Sequence, residues 1–148
     1  MGYEEILEHL APCGLDCRKC LASSSGEIRE LSVRIRELLG SFDRYAERFS
    51  AFQPVFRGYP QFRDLLSHLA GADCPGCRGG ACRYPGCIVP ACTRDKEVDF
   101  CFQCSEFPCD RVTFDPDLRH RWEEMNSRMG EIGVEAYFQE TRDLPRYR

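Results

Sequence analysis

The chain has 148 residues, carries a formal net charge of −4 and contains eleven cysteines. The acidic balance disfavours a surface that binds nucleic-acid phosphates, and thiolates bound to a metal would make it more acidic still. No stretch approaches the ~20 consecutive apolar residues of a membrane helix. We therefore expect neither a nucleic-acid partner nor a membrane partner.

The beginning of the chain bears on how the cysteines are used. Residues 1–10 read MGYEEILEHL, with acidic residues where a secretion signal needs basic ones and no apolar run of signal length. Disulfides need an oxidising compartment, and an odd number of cysteines cannot all pair within one chain. We expect a cytoplasmic protein whose thiols stay reduced unless they bind a metal.

The segment from about 24 to 71 is predicted to be helical. Ser24 and Glu27 have the spacing of a capping box, which would start the first helix of this segment. The apolar residues that follow share one helical face: Ile28, Leu31, Ile35, Leu38 and Leu39. We expect Leu31, Ile35 and Leu38 to be buried, because such a stripe usually packs against the core.

Two further helices are predicted in the same segment. One begins after Ser41 and the other begins at Pro60, a favourable first helical residue, and ends near Gly71. Seven aromatic residues fall between positions 42 and 62: Phe42, Tyr45, Phe49, Phe52, Phe56, Tyr59 and Phe62. Their helical spacing favours an ordinary core over an exposed platform for stacking bases.

The stretch from Cys74 to Cys109 is different, because Gly and Pro occur throughout it and no apolar period is sustained. Such a segment buries too little apolar surface to fold by burial alone. We predict irregular loops that a bound metal stabilises. Helical structure resumes at about 115–141, where Asp115 and Pro116 mark a helix start and a short last helix runs from Val134 to about Thr141.

Three pairs of cysteines are separated by two residues: Cys17/Cys20, Cys74/Cys77 and Cys101/Cys104. A C-x-x-C turn directs two sulfurs to one point, as a zinc knuckle requires. The pairs Cys74/Cys77 and Cys101/Cys104 could face each other across one ion. Four-thiolate ligation also suits an iron–sulfur centre, so spacing leaves zinc and iron–sulfur open.

The N-terminal trio Cys13, Cys17 and Cys20 has the C-x3-C-x2-C spacing of radical-SAM enzymes. Those enzymes need a full or partial (β/α) barrel, and here no Val/Ile-rich strands alternate with helices. We therefore predict that a distant cysteine closes this site, with Cys109 preferred. The remaining thiols, Cys82, Cys87 and Cys92, could complete a third site, bridge ions or stay free.

Several motifs together resemble one family. They are APCGLDCRKC near the start, then CPGCR, CIVPAC and CFQCSEFPCDRV, and finally EIGVEAYFQE. In this order they are similar to the signatures of the domain-of-unknown-function 3795 family, small cysteine-rich proteins of bacteria and archaea. The resemblance implies a metal-binding protein and supplies no established reaction.

We thus predict a mostly α, metal-stabilised single domain over residues 1–148, with helical segments flanking cysteine-knuckle loops. All eleven cysteines are candidate ligands, zinc is the first choice of metal and an iron–sulfur cluster the alternative. The metal would be mainly structural, in a module that could bind a protein partner. The alternative function is an iron–sulfur or thiol-based redox protein or enzyme, although no motif marks a catalytic residue.

Overall fold

The structure is a computed structural model that describes residues 1–80 and 82–148. It is mostly helical, as predicted, and the described residues contain two isolated β-bridges and no strand. Backbone contacts divide the chain into two compact units. We call Met1–Cys20 with Pro75–Arg148 the cysteine unit, and Leu21–Cys74 the helical unit. That one domain spans residues 1–148 stays a prediction.

The helical unit contains three α-helices and one 3-10 helix. These are α2 (Glu27–Leu39), α3 (Asp43–Ser50), the 3-10 helix Pro54–Gly58 and α4 (Tyr59–Ala70), while α1 (Tyr3–Leu7) belongs to the cysteine unit. The ring of Phe42 packs edge-on against Phe49 and Tyr59 at centroid distances of 5.2 and 4.9 Å. The core interpretation holds in part: Tyr59 is buried and Phe42, Phe49 and Phe56 are half-buried around it. Tyr45, Phe52 and Phe62 are exposed, against that interpretation.

Hydrogen bonds near Cys74 set the direction of the helices in this unit. The Ser24 N–H donates to the Cys74 carbonyl, and the Cys74 N–H donates to the Ala22 carbonyl, both at 2.9 Å. The chain before α2 therefore meets the chain after α4, so α2 and α4 pack antiparallel. The predicted capping box is wrong: Gly26 occupies the N-cap position of α2 and no side chain caps it.

The predicted burial of the α2 stripe is also wrong. Leu31, Ile35 and Leu38 are 55%, 43% and 69% exposed, whereas Ser32 is buried. The hydroxyl of Ser32 donates to the Ile28 carbonyl within the helix, which satisfies it at the packed face. Periodicity placed the three apolar residues on one face correctly, but α2 packs on α4 through the neighbouring face.

The cysteine unit is built around two apolar clusters. Its helices are α1 (Tyr3–Leu7), α5 (Val89–Asp95), the 3-10 helix Cys101–Gln103, α6 (Pro116–Ile132) and α7 (Val134–Thr141). The larger cluster joins α1, α6 and α7 through residues such as Ile6, Met129 and Phe138. The smaller one consists of Val89, Val112 and Trp122, with several cysteines packed against it.

Two helix starts in this unit show how sequence sets local structure. The Asp115 carboxylate accepts a hydrogen bond from the Leu118 N–H at 3.0 Å and caps α6 as predicted. Helix α5 was not predicted, because its seven residues lie in the Gly- and Pro-rich stretch. Pro90 stands in its first turn, and the buried Thr93 hydroxyl donates to the Val89 carbonyl, so α5 needs no long apolar period.

Candidate metal centre

Nine of the eleven cysteines form two clusters in the cysteine unit. The N-terminal cluster consists of Cys13, Cys17, Cys77, Cys82 and Cys87, which influence one another's ionisation. The tryptophan cluster consists of Cys92, Cys101, Cys104 and Cys109, which line one cavity with Trp122. Each cluster joins residues from distant parts of the chain.

The tryptophan cluster lines a small apolar cavity of about 30 Å³. Cys92 comes from α5, Cys101 and Cys104 lie at the two ends of the short 3-10 helix, and Cys109 follows in the next loop. The Cys104 N–H donates to the Cys101 carbonyl at 3.0 Å, which closes the turn of this knuckle. Four thiols from three segments therefore share one cavity.

The indole of Trp122 contributes a polar group to this cavity. Its N–H is buried and makes no hydrogen bond to any of the described residues. A buried donor without an acceptor costs about 1–3 kcal/mol. Burial raises the pKa of Cys101 to about 11, and the Trp122 N–H opposes that rise, so the indole points toward the Cys101 sulfur. A thiolate at Cys101 would accept this hydrogen bond, so a metal-bound sulfur fits this position.

In the N-terminal cluster, Cys17 and Cys77 form the closest pair. A hydrogen bond from the Cys77 thiol lowers the pKa of Cys17 to about 6, and the same contact raises the pKa of Cys77. Gly76, at φ +94°, brings the knuckle backbone close to the Cβ of Cys17. A second thiol contact links Cys82 to Cys87.

Two interactions fix the loop that carries Cys13. The side-chain amide of Asn126, fully buried on α6, donates to the Cys13 carbonyl at 2.9 Å. Gly14 adopts φ +92° and passes so close to α6 that a Cβ atom there would lie 2.9 Å from the Met129 side chain. Only glycine satisfies both conditions. The Cys13 loop is thus held against α6 by packing and by a hydrogen bond.

Burial keeps several thiols protonated at neutral pH. It raises the pKa of Cys13 to about 12 and that of Cys87 to about 11. A metal binds thiolates and displaces these protons, and its charge repays the desolvation that raised the pKa values. Among these cysteines the Cys17 thiol, with its lowered pKa, ionises most readily, and a thiophilic cation suits the whole donor set.

Cys20 and Cys74 lie outside the two clusters as defined. The Tyr147 hydroxyl donates to the Cys20 sulfur at 3.8 Å. Cys74 belongs to the helical unit, where it is 8% exposed and pairs through its backbone. The structure thus assigns different surroundings to the two cysteines, and the prediction that both are ligands stays a prediction.

An open cavity of about 870 Å³ adjoins the N-terminal cluster. Cys13, Cys77, Cys82 and Cys87 line it, and so do the arginines Arg121 and Arg146. Its volume lies within the range of about 300–1,000 Å³ that is common for small-molecule sites. The two cysteine clusters therefore differ, since one lines a small cavity and the other lines a large one.

The positions of the sulfurs also bear on the predicted ligand sets. Within residues 1–80 and 82–148, no three His, Cys, Asp or Glu side chains are placed so that they could hold a metal ion as they stand. The structure groups Cys109 with Cys101, and not with the N-terminal trio as expected. It pairs Cys77 with Cys17.

Residues 9–114 match the family described as "Protein of unknown function (DUF3795)". The matched span covers most of the chain and includes all eleven cysteines. The chain belongs to the DUF3795 family. No curated protein and no solved structure matches it. In the described residues, every helix falls short of the length and apolar character of a membrane span.

Several residues of this DUF3795 protein escaped the sequence reasoning. Trp122, Asn126, Arg121 and Arg146 all lie beyond residue 114, outside the cysteine pattern and outside the span that matches the family. A sequence signal existed for Asn126, since an amide within an apolar helical stripe is often a buried group with specific partners.

Proposed function

We propose that this protein binds zinc through cysteine thiolates and that the tryptophan cluster is a closed, structural zinc site. One observation carries the proposal: four cysteines from separate segments line one small cavity that a buried, unpartnered indole N–H also faces. Tetrahedral ligation by four sulfurs is the usual form of a structural zinc site. Bound zinc would contribute on the order of 10 kcal/mol to a segment with little core of its own.

The size of the cavity favours zinc over an iron–sulfur cluster at this position. A volume of about 30 Å³ accommodates a water-sized ion. A cubane cluster adds several iron and sulfide atoms and needs a wider separation of its four thiolates. The cavity is surrounded by the closely packed side chains of Val89, Val112 and Trp122. Close packing leaves these side chains little space to move outward and make room for a larger cluster.

Metal analysis of anaerobically purified protein tests the proposal. We expect a colourless protein that contains zinc, and we expect Cys104→Ser to lose about one zinc ion per chain. The matched control is Ser105→Ala at the exposed neighbouring position, which should keep its full zinc content. A brown protein containing iron and sulfide, or an unchanged metal content in Cys104→Ser, would refute the zinc site.

The open cavity beside the N-terminal cluster favours a second candidate function, that of a thiol- or metal-based enzyme acting on a small anionic molecule. Arg121 and Arg146 line the cavity beside the cysteines. Four carboxylates also line it: Asp115, Asp117, Glu124 and Glu140. The Arg146 guanidinium donates to the Asp16 carbonyl at 2.6 Å, and Arg121 donates to the Arg146 carbonyl. Two guanidiniums fixed in this way suit a carboxylate or phosphate group.

Binding of inorganic phosphate or citrate, measured by calorimetry on zinc-loaded protein, tests this second function. Arg121→Gln should abolish binding, whereas Arg63→Gln on the exposed surface of the helical unit should leave it unchanged. Both arginines also lie near the Cys13 sulfur and could instead offset thiolate charge. If Arg121→Gln lowers the zinc content and neither anion binds the wild type, the two arginines stabilise the metal-bound thiolates and the proposed enzymatic function is refuted.

A further inference from the structure

Helices α2 and α4 present an apolar surface that the rest of the helical unit leaves uncovered. We call it the hairpin face; it consists of Leu31, Ile35 and Leu38 on α2 and of Phe62, Leu65 and Leu69 on α4. The exposed fractions of Phe62 and Leu65 are 46% and 58%, similar to those on α2. Leu69 is half-buried. Single exposed apolar residues are common, whereas six grouped on two adjacent helices are not.

The two apolar stripes lie on the same side of the helix pair. On α2 the packed positions are Ile28, Ser32 and Leu39, and the open stripe is rotated from them by roughly 80° toward Leu31. On α4 the packed positions are Tyr59, Leu66 and Ala70, and the open stripe is rotated in the same sense by a similar angle. Because the helices are antiparallel, the same sense of rotation brings both stripes to one side.

Each stripe has the spacing of a helix-bundle seam. Leu31, Ile35 and Leu38 are separated by four and then three residues, and Phe62, Leu65 and Leu69 by three and then four. Alternation of three and four is the pattern by which one helix interdigitates with another at a small crossing angle. An antiparallel pair of helices with such a face on one side is half of a four-helix bundle.

Area and charge indicate what covers the hairpin face. Its exposed apolar area is on the order of 500 Å², near the upper limit for the largest patch on a monomer and a large part of the ~800 Å² that each partner buries in a stable interface. The helical unit carries seven arginines and seven carboxylates, so two copies do not repel each other. A neutral unit offers nothing specific to a highly charged partner.

We propose that the hairpin face binds a second copy of this chain. Two hairpins related by a two-fold axis place Leu31, Ile35 and Leu38 of one copy against the same face of the other and complete a four-helix bundle. The interface is isologous, since each copy contributes the same surface. This dimer is independent of the proposed zinc site, because the hairpin face contains no cysteine.

Light scattering coupled to gel filtration, and sedimentation over a range of concentrations, test the dimer. We expect wild-type protein to be dimeric and Leu38→Glu to weaken the dimer by about 100-fold or more, because a charge would be buried within the apolar interface. Leu38 is 69% exposed in the monomer, so this change should leave the fold intact, as far-UV circular dichroism would show.

The matched control is Val55→Glu, at a residue that is 78% exposed on the 3-10 helix outside the hairpin face. It should remain dimeric, and Leu65→Glu should behave like Leu38→Glu. The proposal fails if the wild type is monomeric at high concentration. It also fails if Val55→Glu dissociates the dimer as readily as Leu38→Glu, because the interface would then lie elsewhere. Zinc content should be unchanged in all three variants, which separates this outcome from failure of the zinc site.

Discussion

Replacing Asn126 by Leu tests the connection between α6 and both cysteine clusters. The Asn126 side chain is fully buried, and its oxygen accepts a hydrogen bond from the Phe102 N–H at 3.1 Å. Its amide donates to the carbonyls of Cys13 and Trp122 at 2.9 and 3.0 Å. One side chain thus holds the Cys13 loop and the 3-10 helix that begins at Cys101 against α6.

The expected cost of Asn126→Leu follows from the groups it leaves without partners. Leucine has the same branched heavy-atom skeleton as asparagine and is bulkier, so the change creates no cavity, and any crowding adds to the cost. The Trp122 carbonyl can keep its backbone partner within α6, but the Phe102 N–H and the Cys13 carbonyl lose theirs. Each buried unsatisfied group costs about 1–3 kcal/mol, so we expect the free energy of unfolding to fall by about 2–6 kcal/mol.

Urea unfolding of the zinc-loaded protein, followed by tryptophan fluorescence and circular dichroism, measures this cost. The matched control is Ser127→Ala on the exposed side of α6, which should change the free energy of unfolding by less than about 0.5 kcal/mol. Asn126→Leu should also release zinc more readily, because both cluster loops lose an anchor. A loss of stability no larger than that of Ser127→Ala would refute the reasoning.

Three further predictions concern metal, pH and packing. Strong chelators should abolish hydrogen-exchange protection in residues 75–109, and Cys104→Ser should cost several kcal/mol; amides that stay protected in metal-free protein would contradict this. Burial raises the pKa of Cys13 from its usual 9.0 to about 12, so the unfolded chain releases this proton first and metal-free protein should lose stability as pH rises from about 9 toward 12. Urea unfolding at several pH values would measure that loss, which Cys13→Ser should reduce. Leu66→Ala should destabilise the protein by about 2–5 kcal/mol, since Leu66 is 5% exposed, whereas Leu31→Ala should cost a monomeric variant much less; equal costs would restore the buried-stripe interpretation.

The sequence was most informative about local structure. Helix bounds in the helical unit followed from apolar periodicity, and Asp115 with Pro116 marked the start of α6, because these signals act within one or two turns of the chain. The capping box at Ser24 failed because a tertiary contact competed for the same backbone. The Ser24 N–H pairs with the Cys74 carbonyl, which no local pattern reveals.

The grouping of the cysteines depended on tertiary structure. Spacing identified the Cys101/Cys104 turn, since the backbone of a C-x-x-C knuckle is local. It did not place Cys92 and Cys109 beside that turn or Cys77 beside Cys17, because these contacts join loops whose separation depends on how α5 and α6 pack. The position of the Trp122 N–H beside these cysteines could not be predicted for the same reason.

By itself, the sequence determined the longer helices, the family and the thiol-rich chemistry, all of which reside in residue types and short spacings. Tertiary structure alone decided which thiols share a cavity and which face of α2 is covered. Leu31 illustrates the physical reason: periodicity states that residues lie on one side of a helix, whereas burial requires a neighbouring element to occupy that side. In this chain α4 packs beside that stripe and leaves it exposed.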